Sequence, residues 1–237
     1  MNSVEFSLGK LWDTSKLLRT VGYWSRDSGM LPGAAAVAAL ARRGFFPRED
    51  LLHWGEVACH LQGHPDRLKT PGVDMTTGSL GQGLSAGLGM ALGLRLKRFD
   101  SRVFVMLGDG ELNEGQVWEA AMAAARFNLD HLTVIVDYND LQLDGFCHDV
   151  MPLEPLAAKW RDFGWNVLEI DGHDMHEILE ALQEAQHTLA VPTVIIAHTI
   201  KGKGISFMEN DCEWHGRAPN DREYAAAMAE LAEEGAS

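Results

Sequence analysis

The chain has 237 residues, enough for one large α/β domain with a core of its own. Lys plus Arg number 20 against 34 Asp plus Glu, a formal charge of −14, so the surface repels nucleic acid and anionic membranes. No apolar run approaches the roughly 18 to 20 residues of a membrane span, and "MNSVEFSLGKLWDTSK" lacks a signal-peptide core. Cys59, Cys147 and Cys212 are isolated cysteines without a CxxC pair, which argues against a disulfide framework or a zinc site. A reducing compartment follows, most simply the cytoplasm.

Along the chain, "SLGQGLSAGLGMALGLRLKR" reads as a helix spotted with glycines. Each interior glycine costs about 1 kcal/mol against alanine. Close packing against another helix or subunit is the expected compensation for Gly87, Gly89 and Gly93. Gly78, Gly81 and Gly83 stand at the helix start, where open N–H groups could meet an anion. From Arg102 the chain alternates: strand Val103 to Leu107, helix near Glu114 to Arg126, strand Leu132 to Asp137, helix Leu156 to Phe163, strand Asn166 to Ile170, helix Met175 to His187, strand Thr193 to Ala197. This order predicts an α/β fold, a parallel β-sheet with helices on both faces, as one domain over residues 1–237. Val103 to Leu107, apolar throughout, reads as a strand in the middle of that sheet. Asp174 is a natural N-cap for the following helix, so His173 and His176 are read as structural. "REYAAAMAELAEEGAS" reads as a polar C-terminal helix.

Two of the valine-rich strands end in polar groups, the first at Gly108-Asp109-Gly110 and the second at Tyr138-Asn139-Asp140. Open α/β sheets bind ligands beyond the carboxyl ends of their strands. If these strands are neighbours, the Asp109 carboxylate and the Asn139 amide oxygen converge. Mg²⁺ favours one or two carboxylates, a few neutral oxygens and phosphate oxygens, so the pair suggests a metal bridging to a diphosphate. Ordinary strand-to-helix turns are the plainer alternative, since Gly, Asp and Asn all favour turns. Neither GxGxxG nor GxxxxGK[ST] occurs, so a phosphate has to be held another way.

These residues carry a resemblance. "GDGELNEGQVWEAAMAAARFNLDHLTVIVDYNDLQLDG" resembles the thiamine-diphosphate motif of transketolases, "LQGHPDRLKTPGVDMTTGSLGQGLSAGLGMAL" their GHP and TG-x-LGQG segments, and "HTIKGKGISFMENDCEWHGRAP" the segment ending in WHG. The similarity covers nearly the whole chain in the same order. It implies the diphosphate-binding subunit of a split, two-component transketolase, which transfers a two-carbon ketol unit from a ketose or ketose phosphate to an acceptor. The pyrimidine-binding domain would come from a C-terminal partner subunit, with α₂β₂ as the expected assembly and no activity in this chain alone.

Residue by residue, the resemblance implies that Asp109 and Asn139 bind Mg²⁺ by side chain and Leu141 by its carbonyl. Gly78, Leu80, Gly108, Asp109, Gly110, Glu111, Asn139, Leu143, Lys201 and His215 would hold thiamine diphosphate, Leu80 and Leu143 by pressing on its rings. His64 would contact substrate oxygens, His215 the diphosphate, and Glu114 and Glu119 would link paired active sites, although for Glu119 a solvated helix carboxylate is also open. Two departures matter. The family's N-terminal GHPG-type turn is missing, and Met30 stands where the family has a histidine, a thioether that cannot donate a hydrogen bond. Each lost donor to a buried sugar oxygen costs about 1 to 3 kcal/mol. A specialised substrate is therefore expected. A 2-oxo acid decarboxylating component of the same cofactor fold, or a non-catalytic partner-binding subunit, are the alternatives.

Overall fold

The computed structural model describes residues 31–234 apart from Thr77, Gly216 and Ala218, so Met30 and the N-terminal segment lie outside the described residues. The chain folds into two compact units, residues 79–200 and, separately, residues 31–78 with 201–234. The second of these begins with helix α1 (Leu31–Arg42) and a 3₁₀ turn at Arg48–His53. There Val37, Ala41, Phe46 and Leu61 make one buried cluster, while Ile205, Met208, Trp214 and Ala227 make another.

Residues 79–200 hold the α/β core. In chain order they form α2 (Gln82–Leu96), β1 (Val103–Gly108), α3 (Gly115–Arg126), β2 (Leu132–Tyr138), the two-residue strands β3 (Leu141–Gln142) and β4 (Gly145–Phe146), and the helical turn α4 (Cys147–Val150). Then come α5 (Leu156–Asp162), β5 (Asn166–Asp171), α6 (Met175–His187) and β6 (Thr193–His198), and α7 (Asp221–Glu234) follows outside this unit. The four long strands are parallel in the order β1-β2-β6-β5, with Gly108 beside Asp137 and Asp137 beside Ala197. Their carboxyl ends therefore share one edge of the sheet.

Side-chain alternation divides the core between two faces. Leu107, Val134, Val136, Val194 and Ile196 pack with α2, α3 and α5 through Leu84, Val117, Ala121, Leu156 and Trp160. Ile135, Leu168, Ile170 and Ile195 pack instead against Ala181 and Ala185 of α6. Helices thus cover both faces. Asp174 caps α6 as its sequence predicts, its Oδ1 accepting from the N–H of His176 at 2.7 Å and of Glu177 at 3.4 Å.

The position of β1 differs from the expectation of a central strand. Among the described residues it lies at the sheet edge, and Phe104 and Met106 are about half exposed on the face that α6 covers farther along the sheet. An all-apolar strand and a one-sided strand read alike when every residue is apolar, which is why the sequence could not separate them. The glycines of α2 also split. A Cβ on Gly87 would overlap a Val105 methyl, so this glycine admits a strand rather than another helix, whereas Gly89 and Gly93 have open space around them.

Candidate functional site

At the end of β1 the backbone turns sharply into a 3₁₀ turn, Gly110–Asn113, and Asp109 caps it. Asp109 is 2% exposed. Its Oδ1 accepts from the N–H of Gly110 at 2.7 Å, and its Oδ2 accepts from the N–H groups of Asn139 at 2.9 Å and Asp140 at 2.5 Å. The adjacency of β1 and β2 is what brings these turns together. Burial pushes the Asp109 carboxyl up to about 6 against the pull of those three N–H donors, and the charged neighbour acting on it is Asp137, another acid. A buried carboxylate whose charged neighbour is an acid fits a divalent cation. Among the described residues no group of three or more His, Cys, Asp and Glu could hold a metal ion. An ion at Asp109 would therefore draw its other ligands from neutral oxygens and phosphate, the donor set that Mg²⁺ favours.

Asn139 leaves β2 with its Oδ1 accepting from the N–H of Leu141 at 3.0 Å, which holds the side chain toward the start of the β3–β4 hairpin. Leu141 is buried there, and Leu143 at the hairpin tip is 64% exposed. Gly110 is a close approach, since a Cβ on it would stand 3.0 Å from the Cβ of Gln142, while Gly108 opens onto free space. The Nε2 of Gln142 is buried without a hydrogen-bond partner.

Glu111 bridges two backbone amides. Its Oε1 accepts from the N–H of Gly81 at 2.8 Å and its Oε2 from the N–H of Gly108 at 3.2 Å. The carboxylate thus ties the start of α2 to the end of β1. The Gly81 N–H is occupied and is not open to an anion, because a side chain thirty residues away has taken the role foreseen for a ligand. Glu114 is exposed at the start of α3, with its Cβ 2.8 Å from the place a Gly81 Cβ would take, and Glu119 is exposed on the same helix. Leu80 is 58% exposed.

The remaining sequence-predicted residues lie in the other unit. Gly78 has φ +127°, and a Cβ there would come within 2.6 Å of the Nδ1 of His64, so the exposed His64 ring rests on the glycine backbone. Lys201 is buried, and its carbonyl accepts from the N–H of Asn210 at 2.9 Å. His215 ends the turn Cys212–His215 with its Nδ1 buried and unpartnered, and burial first, then the charge of Lys201, holds its imidazole below the usual histidine range. An orphaned ring nitrogen near a buried lysine suits an anionic oxygen.

Sequence reasoning missed Cys147, Asp140 and His148. The Cys147 thiol is 1% exposed and is pushed up to about 12, first by burial and next by the charge of Asp109. Asp140 pairs with His148, a contact whose only trace in the sequence is a polar pair bracketing "LQLDGFC". A shallow depression of about 460 Å³ lined by Cys59, His60, Gln62 and Lys69 includes none of the residues assigned above to cofactor, metal or substrate.

Comparison with known proteins follows the same residues. Residues 44–235 match the family described as transketolase, thiamine diphosphate binding domain. Over 204 residues the chain is 47% identical to the 6-deoxy-6-sulfo-D-fructose transketolase subunit SqwG of Clostridium sp. (strain MSTE9), covering 86% of this chain and 74% of that one. It is 40% identical over 199 residues to an apulose-4-phosphate transketolase subunit of Phocaeicola vulgatus, covering 84% and 70%. The crystal structure of transketolase from Campylobacter jejuni matches with a TM-score of 0.81 and 27% identity over 91% of this chain, but over only 37% of that one. The present chain spans little more than a third of that transketolase and 70 to 74% of the two transketolase subunits. With Asp109, Asn139 and the GDG turn all inside the matched stretch, the chain belongs to the transketolase family, within its thiamine-diphosphate-binding domain.

Proposed function

We propose that this chain is the thiamine-diphosphate- and Mg²⁺-binding subunit of a two-component transketolase-like enzyme that moves a two-carbon ketol unit from a ketose or ketose phosphate to an acceptor. The observation that carries the reading is the Asp109 carboxylate, buried, raised in pKa and fastened by three backbone N–H groups from two neighbouring strand ends. Asp109, the Asn139 side chain and the Leu141 carbonyl would hold the metal, and the turn through Gly108 and Gly110 would lie beside the diphosphate. Lys201 and His215 would meet the diphosphate, His64 on its Gly78 seat would meet substrate oxygens, and Leu80 and Leu143 would keep water from the reactive ring. The cofactor, when bound, supplies the carbon centre at which the substrate's carbon–carbon bond is broken and remade.

Glu111 acts within this scheme by fixing Gly81 and Gly108, and Glu114 and Glu119 remain exposed for an interface with another subunit. A pyrimidine-domain partner completes the site, as the word subunit in the relatives' names suggests, and two-fold symmetry favours α₂β₂. The three free cysteines favour a reducing, cytoplasmic setting. The relatives' names support transketolase over the decarboxylating and non-catalytic alternatives.

Calorimetric titration of thiamine diphosphate and Mg²⁺ into the reconstituted pair tests the proposal. Wild type should bind with a requirement for the metal, and Asp109→Ala should lower affinity at least a hundredfold. Undiminished binding by that variant would remove the metal site.

A further inference from the structure

Asp140 is the residue between the two polar groups assigned to the metal, and it adopts a left-handed backbone with φ +58°. For a residue with a side chain that conformation costs of order 1 kcal/mol and persists only where neighbours hold it. Four contacts do so. The Asp140 N–H donates to the Oδ2 of Asp109 at 2.5 Å, and its carbonyl accepts from the N–H of Cys147 at 2.8 Å. Its Oδ1 accepts from the N–H of His148 at 3.2 Å, and its Oδ2 pairs with the Nδ1 of the same ring. The imidazole in turn stacks on Phe146 with centroids 5.2 Å apart and planes at 27°, and Phe146 is the ladder partner of Leu141.

We propose that Asp140 and His148 form a clamp across the root of the β3–β4 hairpin, positioning Asn139 for the metal and Leu143 for the cofactor ring. The proposal rests on the cofactor reading above. A hairpin of two residues per strand is marginal by itself, so something outside the ladder has to fix its tilt. Burial cannot do it for the tip, because Leu143 is 64% exposed. The Asp140–His148 contact closes residues 140 to 148 into a ring beside the backbone bond from the Cys147 N–H to the Asp140 carbonyl, and the Asp140 N–H fastens that ring to Asp109. Both are positioning residues, acting on the metal site through the backbone that they hold.

An exposed pair of this kind adds little to global stability, and the His148 side chain is 59% exposed. The clamp and a merely structural contact therefore differ in what a mutation moves. In the full chain reconstituted with its partner subunit, His148→Ala and Asp140→Gly should each weaken binding of thiamine diphosphate with Mg²⁺ about tenfold, with the thermal midpoint of the cofactor-free chain shifted by no more than a degree or two. Glycine takes φ +58° freely, so Asp140→Gly removes the side chain without adding strain. Asp140→Asn keeps an acceptor for His148 and tolerates the left-handed conformation, and it should restore affinity to within threefold of wild type. Hydrogen exchange at the Cys147 and His148 amides in the cofactor-free chain should speed up about tenfold in His148→Ala and Asp140→Gly but not in Asp140→Asn. Wild-type affinity in both His148→Ala and Asp140→Gly, or no rescue by Asp140→Asn, would overturn the clamp. Absence of binding by wild type would overturn the cofactor reading and the clamp together, whereas strong wild-type binding with unaffected variants would sink the clamp alone.

Discussion

That Asp109 and Asn139 reach one edge of the sheet was readable because each ends a valine-rich run, and adjacent parallel strands must deliver their final residues to one edge. The contacts of Glu111, Asp140, Cys147 and His148 were not, since they come from partners that no local pattern names: two glycine amides, a left-handed turn, the carboxylate of Asp109, and a carboxylate eight residues upstream. Cys147 offers a direct check of this tertiary environment. Alkylation needs the thiolate, and burial and the Asp109 charge hold the Cys147 thiol up at about 12. At pH 8 the thiol is therefore almost wholly un-ionised. Iodoacetamide at pH 8, followed by peptide mass mapping, should label the partly exposed Cys59 and Cys212 in the folded chain and leave Cys147 unmodified until denaturant is added. Labelling of Cys147 at the rate of Cys59 would mean that the space beneath Asp109 is open to solvent.

The long strands and their order along the chain, though not their order in the sheet, are visible in the sequence because apolar runs bounded by polar turns fix where each strand stops, and Asp174 marks the start of α6. What the pattern cannot show is which face of β1 is covered, or which glycine of α2 is pressed and which is free. Those properties belong to pairs of elements. They lead to opposite outcomes for one substitution at two sites on one helix. Gly87→Ala drives a Cβ into the Val105 methyl, so α2 must lift from β1 or Val105 must shift, and overpacking of this kind costs about 1 to 3 kcal/mol. Gly89→Ala meets nothing within 4 Å and should gain up to about 1 kcal/mol from helix propensity. Thermal denaturation of the isolated chain should therefore show Gly87→Ala melting several degrees below wild type and Gly89→Ala at or slightly above it. A similar loss in both would show that Gly89 is enclosed by a second copy of the chain, which measurement of oligomeric state on the same samples would reveal.

On the scale of the whole molecule, Asp109, Asn139 and the hairpin lie in one compact unit, while His64, Gly78, Lys201 and His215 lie in the other. The chain also matches only 37% of the Campylobacter jejuni transketolase. If the cofactor needs groups from a second polypeptide, ligand binding and assembly are linked, and each must strengthen the other by the same factor. A ligand present at about a hundred times its dissociation constant stabilises the bound state by about 2.7 kcal/mol. Thiamine diphosphate with Mg²⁺ should then raise the melting temperature of the reconstituted pair by several degrees and that of this chain alone by much less, and EDTA should abolish the difference. Ketol transfer should be absent from the isolated chain and appear in proportion to added partner until the subunits are equimolar. Turnover by this chain alone would show that no second polypeptide is needed, and the dependence on a partner would fall while the metal-binding role of Asp109 still stood.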